Sequence, residues 1–428
     1  MQLTATEKAM LDGAAGLAKQ RAMELLVRYA EALGADRFVD TDNVAGVPGS
    51  SNLFVQKYFE QHAGAGDYET VFSLYDLDSS DVVAIPGAAV NCCHLQGGMD
   101  PQHWTEQGMA REALDHQMQD ESELNRRGIH VLKTCTPYLA GNVPLKGEHC
   151  AWMESSAVVY CNSVIGARTN TEGRESTSAA MLTGKVPDWG FHTDDYRYGT
   201  HLVEVETPVD SVMDWGMLGY FIGDVVQENI PVITGRIAKA DPLRHKHFGA
   251  AAASSGGVEM YHMVGITPEA ETLEMAFGPR KPVATVKYGP AERRKVYETL
   301  NSNGTNPNVD YVMLGCPHAS LEQIATIARL LDGHRLKVPL WLFTSRSVKA
   351  VADLQGLTKT IETSGAIVMT DTCSAIARAV PKGTKVVALD SAKQVHYLPA
   401  IVGIEAWFGT TEDCIHAALT GRWTGELQ

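Results

Sequence analysis

Tyr311-Val312-Met313-Leu314-Gly315-Cys316-Pro317-His318 is the stretch on which the fold turns. A short apolar run that stops at Gly-Cys-Pro reads as a buried strand ending in a loop. Leu321 to Leu331 follows with helical spacing of its apolar residues, and Pro339 to Phe343 is strand-like again. A helical stretch near Val348 to Leu354 comes next, and then further strand candidates at Ile367 to Met369 and Val386 to Leu389. Strands alternating with helices predict a parallel α/β sheet.

The same reading extends toward the N-terminus. Ile230 to Thr234 and Ile129 to Lys133 are strand-like, and Ala157 to Tyr160 reads as a short strand or buried turn. Val212 to Val226 has helical character despite Gly216, Gly219 and Gly223, which suit close packing. Phe248 to Val258 is rich in small residues and is expected to pack tightly or approach a ligand. Thr4 and Glu7 have capping-box spacing, and the helical pattern they open runs to Gly34, with Gly13 and Gly16 marking a junction of two helices. Val44 to Asn52 reads as a polar loop open to substrate contacts.

Composition bounds the function. A chain of 428 residues exceeds one core, so two or three domains are expected. With 36 basic and 51 acidic residues the net charge is −15, which disfavours nucleic acid and anionic membranes as partners. No apolar run is long enough to span a bilayer, and the N-terminus lacks a basic region followed by an apolar run, so a cytoplasmic location without a secretory signal is expected. Eight cysteines in such a chain are buried thiols, metal ligands or catalytic groups rather than a disulfide scaffold. Dinucleotide, Walker-type, His-Glu-x-x-His and Gly-x-Ser-x-Gly motifs are absent.

Two constellations carry chemistry. Cys135, Cys316 and Cys373 each follow a predicted strand, and in α/β sheets ligand sites gather beyond the carboxyl ends of strands. Three thiolates can hold an iron–sulfur cluster with one iron open to a substrate hydroxyl. Position alone favours buried structural thiols, and a zinc site with His318 is a further alternative. Cys92-Cys93 reads as structural. The second constellation runs from Glu154-Ser155-Ser156 to Arg168-Thr169-Asn170. Arg grips a carboxylate or phosphate through two parallel hydrogen bonds, and Thr and Asn add neutral donors, although a capped, solvated loop explains these residues equally. His192, Asp194 and Asp195 read as a surface turn.

Glu154-Ser155-Ser156-Ala157-Val158-Val159-Tyr160-Cys161-Asn162-Ser163-Val164-Ile165-Gly166-Ala167-Arg168-Thr169-Asn170 resembles the signature of the aconitase X family. Thr134-Cys135-Thr136-Pro137-Tyr138, Gly315-Cys316-Pro317-His318, Asp371-Thr372-Cys373 and Asp390-Ser391-Ala392-Lys393 match it too, and the resemblance runs from Leu3 to about Trp423. After Asn170 the family commonly continues Arg-Glu-Gly-Gly, where this chain has Thr171-Glu172-Gly173-Arg174, a difference that bears on the substrate.

The resemblance implies a multi-domain, aconitase-like α/β fold of parallel or mixed sheets flanked by helices, lacking the small swivel domain. It divides the chain into 1–200 with Cys135 and the Arg168 loop, 201–300, and 301–428 with Cys316 and Cys373. It implies an iron–sulfur cluster of unspecified nuclearity on Cys135, Cys316 and Cys373. It further implies dehydration of a small hydroxy acid held by Arg168, Thr169, Asn170, Glu154, Ser155 and Ser156. The implied partner is a small swivel-domain subunit in a heterodimer, and that subunit would carry the catalytic base. cis-3-Hydroxy-L-proline is the preferred substrate on the chain's acidity and want of an obvious phosphate cradle, with mevalonate 5-phosphate as runner-up. A non-catalytic chain that binds a small acid or a partner is the reading from another class.

Overall fold

A computed structural model describes residues 1–46, 86–237 and 240–428. Three parallel sheets organise the described residues. The first runs Ile129–His130, Asn91–His94, Asn43–Gly46, Cys150–Trp152. The second runs Ala284–Tyr288, His201–Val209, Pro231–Ile237, His262–Met263. The third runs Ile367–Thr370, Leu340–Thr344, Tyr311–Ala319, Val386–Leu389, Glu405–Phe408. One antiparallel pair, Phe38–Asp40 with Lys185–Pro187, stands apart. No helix of the described residues is long and apolar enough to cross a membrane.

Numbered by sequence, the third sheet has strand order 3-2-1-4-5. The chain therefore winds outward one way from Tyr311–Ala319 and then the other way from Val386–Leu389. Between these neighbours the crossovers diverge and leave a crevice at the carboxyl ends. The strands are mostly apolar because helices cover both faces. One side packs Ile324, Ile327, Leu331, Ile361 and Ile415; the other packs Val395, Leu398 and Met217.

The helices at Leu321–Leu331 and Val212–Val226 fall where their spacing predicts, each opened by a serine cap, Ser320 and Ser211. Thr4 caps Ala5–Leu11 in a capping box with Glu7, and a second helix, Leu17–Leu33, ends at left-handed Gly34. Three local expectations change. Ser155–Tyr160 is a helix, not a strand: Ser156 to Tyr160 are all buried, so no polar face shows from which a period could be read. Asn43–Gly46 is a buried strand rather than the start of a polar loop, and positions 47–52 of that expected loop lie outside the described residues. Tyr311–Ala319 continues past Gly315, so Cys316 lies within the strand's irregular end, where the register shifts between Leu314 and Ala319. Gly315 permits this with φ 88°, and a Cβ there would meet the Phe343 carbonyl oxygen at 2.1 Å.

Val212–Val226 lies against Pro242–Gly256 through small residues. A Cβ on Gly219 would sit 2.3 Å from the Phe248 carbonyl oxygen, and one on Gly223 would sit 2.4 Å from that of Ala252. Backbone cannot give way as a flexible side chain can. Gly219→Ala is therefore expected to destabilise the chain by about 1–3 kcal/mol, as overpacking does, and urea unfolding checks it. Unchanged stability would show that the two helices separate freely.

Candidate active site

The carboxyl ends of the first and third sheets face each other, and Pro242–Gly256, from the part of the chain that holds the second sheet, reaches their junction. Cys135 lies beyond Ile129–His130 and Glu154 beyond Cys150–Trp152. From the third sheet come Cys316, Cys373 beyond Ile367–Thr370, and Lys393 in the first turn of Ala392–Val402 after Val386–Leu389. Cys316 and Lys393 thus sit at the crevice where the winding reverses.

Cys135, Cys316 and Cys373 lie close enough to influence one another's ionisation. Burial pushes the Cys135 and Cys316 thiols up to about 12 and the Cys373 thiol to about 11. They are neutral thiols in the free chain, and only a cation among them would make them thiolates. The surroundings are donor-rich. The His318 backbone N–H donates to Cys135 Sγ (3.3 Å), and the N–H groups of Ala375 and Ile376 donate to Cys373. Cys316 donates to Gln394 Oε1 (3.2 Å), whose Nε2 is buried without a partner.

Glu154 supplies the one carboxylate among these groups. Its Oε1 accepts from Lys393 Nζ (2.5 Å) and Ser156 Oγ (3.0 Å). Burial alone would raise its titration, but the Lys393 charge and these hydrogen bonds outweigh that and hold the carboxyl below its ordinary range. Burial pulls Lys393 down, and Glu154 and the thiols more than compensate, so the ammonium is held upward. Lys246, from Pro242–Gly256, donates to the Pro317 and His318 carbonyls (3.2 and 2.9 Å) and to Gln323 Oε1 (2.5 Å). Burial lowers it to about 8.

His318 is committed at both ring nitrogens. Nε2 lies 2.9 Å from the Thr372 carbonyl, which can only accept, so Nε2 bears the proton. Nδ1 then accepts from Thr134 Oγ1 at 2.9 Å, consistent with burial lowering the ring to about 4. No lone pair is left for a zinc ion. Among the described residues no group of three or more His, Cys, Asp or Glu side chains is gathered tightly enough to hold a single metal ion.

The six positions expected to grip substrate divide. Glu154 and Ser156 stand with the thiols. Ser155 lines a neighbouring cavity of about 440 Å³ with Asn170, Tyr29 and Glu259. Arg168–Thr171 runs alongside Cys150–Trp152 as a continuation of the first sheet, with the Cys150 N–H donating to the Arg168 carbonyl at 2.8 Å. That pairing turns Thr169 inward, where its Oγ1 accepts from Trp152 N–H (2.9 Å). Asn170 Oδ1 accepts from Phe191 N–H (2.9 Å). The Arg168 guanidinium donates to the His192 carbonyl (2.7 Å) and to Asp194, facing a cleft with Arg197 and Glu269.

Sequence reasoning assigned no role to Lys393, Lys246 or Gln394. Lys393 was findable, because it follows a strand that flanks the crevice. Lys246 was not, because nothing in His245-Lys246-His247 marks the lysine as buried.

Models of three domains match the chain: "Aconitase X first domain" over residues 1–195, "Aconitase X second domain" over 199–298 and "Aconitase X third domain" over 309–420. The phosphomevalonate dehydratase large subunit of Methanocaldococcus jannaschii is 35% identical over 97% of this chain and 99% of its own. The cis-3-hydroxy-L-proline dehydratase of Pseudomonas aeruginosa is 34% identical over 98% of this chain and 70% of its own. The crystal structure of Thermococcus kodakaraensis aconitase X in its holo form superposes with a TM-score of 0.80 at 30% identity, covering 98% of this chain and 100% of that one.

Lys393→Met leaves Glu154 largely buried without its cation and is expected to cost about 3 kcal/mol at neutral pH. Glu154 titrates below its unfolded value, so its contribution is present above the unfolded carboxylate range and is lost as pH falls through the folded one. The wild-type advantage should therefore shrink on acidification. Denaturant unfolding at pH 7 and pH 4 measures it, and a pH-independent difference would remove the ion pair as its cause.

Proposed function

This chain belongs to the aconitase X family, and from that premise we propose that it is the cluster-bearing large subunit of a hydro-lyase acting on a small hydroxy acid, cis-3-hydroxy-L-proline foremost. The observation that carries this reading is the meeting of Cys135, Cys316 and Cys373 with the Glu154–Lys393 pair where two sheets present their carboxyl ends. The relatives matched along the chain are named dehydratases.

The residues present suit an iron–sulfur cluster. Three thiols from three loops match a cluster with one open iron. Tyr138, whose titration senses Cys135 and Glu154, has a hydroxyl buried without a partner, and Gln394 Nε2 and Gln96 Oε1 are likewise unpaired. Buried polar atoms without a partner are what a polar occupant would satisfy. When bound, such a cluster supplies a Lewis acid for a departing hydroxyl.

The chain's own residues account for substrate capture. cis-3-Hydroxy-L-proline is a zwitterion, with a carboxylate and a ring ammonium on one carbon. Lys393 and Glu154 present the complementary charges side by side, with Ser156 as a neutral donor. As the proton next to the carboxylate leaves, charge grows on that carboxylate, and Lys393 is placed to stabilise it. Thr169 acts on this site through the frame of the first sheet, while Arg168 and Asn170 bond to the 189–194 segment beside it. The base belongs to a small subunit, the partner suggested by relatives named large subunits.

Mevalonate 5-phosphate is the second reading, favoured by relatives named phosphomevalonate dehydratase large subunit at 35% and 37% identity. Its two anionic groups suit Glu154 poorly.

The full chain, prepared anaerobically with its small subunit, should contain iron and sulfide and dehydrate cis-3-hydroxy-L-proline. Activity on mevalonate 5-phosphate alone would move the substrate to the second reading; turnover of neither would end both substrate assignments. Cys316→Ser should abolish the visible absorbance and most of the iron. Unchanged iron would sink the ligand assignment, and wild-type protein free of iron and sulfide would favour a non-catalytic chain.

A further inference from the structure

Two of the three thiols sit on loops of the same construction. Lys133-Thr134-Cys135 and Asp371-Thr372-Cys373 each place a non-glycine residue in the left-handed region two positions before the cysteine, with φ 46° at Lys133 and 72° at Asp371. Side chains disfavour that region, and such a conformation persists only where its surroundings hold it. The loops come from different sheets, so whatever holds them also fixes one thiol relative to the other.

Two sets of contacts join them. On one side the His318 ring spans the two threonine positions, taking the Thr134 hydroxyl at Nδ1 (2.9 Å) and donating to the Thr372 carbonyl from Nε2 (2.9 Å). On the other side runs a chain of charges. Lys133 Nζ lies 4.0 Å from Glu121 Oε1, and both carboxylate oxygens of Glu121 accept from Arg346 Nη2 at 2.9 Å. Arg346 Nε lies 2.8 Å from each Asp371 carboxylate oxygen. Lys133, Glu121 and Asp371 are buried, at 2%, 4% and 0% exposure, so none has water as an alternative partner. The backbone is pinned in the same places: the Gly97 N–H donates to the Asp371 carbonyl at 2.6 Å, and the Lys133 N–H to that of His94 at 2.9 Å.

We propose that Lys133, Glu121, Arg346 and Asp371 are positioning residues, a charge chain that clamps the Cys135 loop of the first sheet to the Cys373 loop of the third and sets the spacing of the two thiols. The inference rests on the reading of these thiols as cluster ligands, and it concerns how their separation is imposed before any cluster enters. Arg346 is the keystone, because its fork is the only member that touches both a first-sheet-side carboxylate and a third-sheet carboxylate. Lysine in its place would keep the charge and lose the fork.

The test uses the full-length chain with Arg346→Met, Glu121→Gln, Arg346→Lys and Asp371→Gly. In the metal-free chain, maleimide labelling of each cysteine is followed by mass spectrometry. Arg346→Met and Glu121→Gln should label Cys135 and Cys373 at least fivefold faster, with Cys414, buried in Thr411–Thr420 and outside the charge chain, unchanged. In the reconstituted chain the same variants should lose iron to a chelator at least fivefold faster and shift the electron paramagnetic resonance signal. Arg346→Lys should fall between, and it carries the test if Arg346→Met does not fold. Asp371→Gly is the discriminating variant. Glycine adopts φ 72° freely, so if left-handed backbone were all that mattered it would behave as wild type, and that result overturns the clamp. Labelling of Cys135 and Cys373 within twofold of wild type, or acceleration of Cys414 to the same degree, overturns it too. A wild-type chain that takes up no iron or sulfide refutes the cluster reading instead, and the labelling arm still judges the clamp.

Discussion

Glu154 and Lys393 are 239 residues apart in the chain and 2.5 Å apart in space. Neither is tolerable alone where it stands, since a largely buried charge without a counterion costs several kcal/mol. Each therefore requires the sheet that delivers the other. The pair is the closest ionic contact between the first and third sheets at the thiols, and it obliges the two carboxyl edges to face each other. Once they do, three neutral thiols, buried at Cys135 and Cys316 and half-buried at Cys373, are left close to the pair. A protein that needed only to fold could fill this junction with apolar side chains at less cost. Retaining charge there makes sense if the charge is used.

The second domain touches this arrangement in a different manner. Lys246 offers its donors to two backbone carbonyls and a glutamine rather than to a carboxylate. A cation so held acts on the course of the chain: it fixes the irregular Pro317–His318 end of the strand that carries Cys316. His318, anchored there, in turn reaches the threonines beside the other two cysteines. One buried ammonium thus links Pro242–Gly256 to all three thiol-bearing segments.

Most of the third domain was legible in the sequence, and the reason is length. Leu321–Leu331 carries three helical turns with one apolar face, and Val386–Leu389 is a pure apolar run bounded by charge and turn formers. The helix Ser155–Tyr160 was not legible, because a segment buried from Ser156 to Tyr160 shows no period. The chemistry followed the same divide. Position after strands brought Cys135, Cys316 and Cys373 to notice, but position alone favoured structural thiols, and only the family resemblance read them as cluster candidates. Arg168 drew attention by its type, yet its guanidinium is spent on the His192 carbonyl and Asp194. What an arginine does depends on partners 24 and 26 residues away, and no local pattern encodes them.

Three parallel sheets recur in this chain, but only two contribute thiols. The third sheet has the reversal in strand order that opens a crevice at its carboxyl edge, between Tyr311–Ala319 and Val386–Leu389. The first sheet runs Ile129–His130, Asn91–His94, Asn43–Gly46, Cys150–Trp152, so its two site-bearing strands are its outer members. Cys135 and Glu154 therefore approach from opposite edges, and the third sheet's crevice presents Cys316 and Lys393 between them. A flat edge meeting a flat edge would leave no room for a ligand. A splayed edge meeting a crevice brings the thiols and the Glu154–Lys393 pair to one junction. A dehydration must handle the leaving group and the carboxylate at separate places on one small molecule, and a junction that gathers two different kinds of group from two sheets is a setting in which that is feasible.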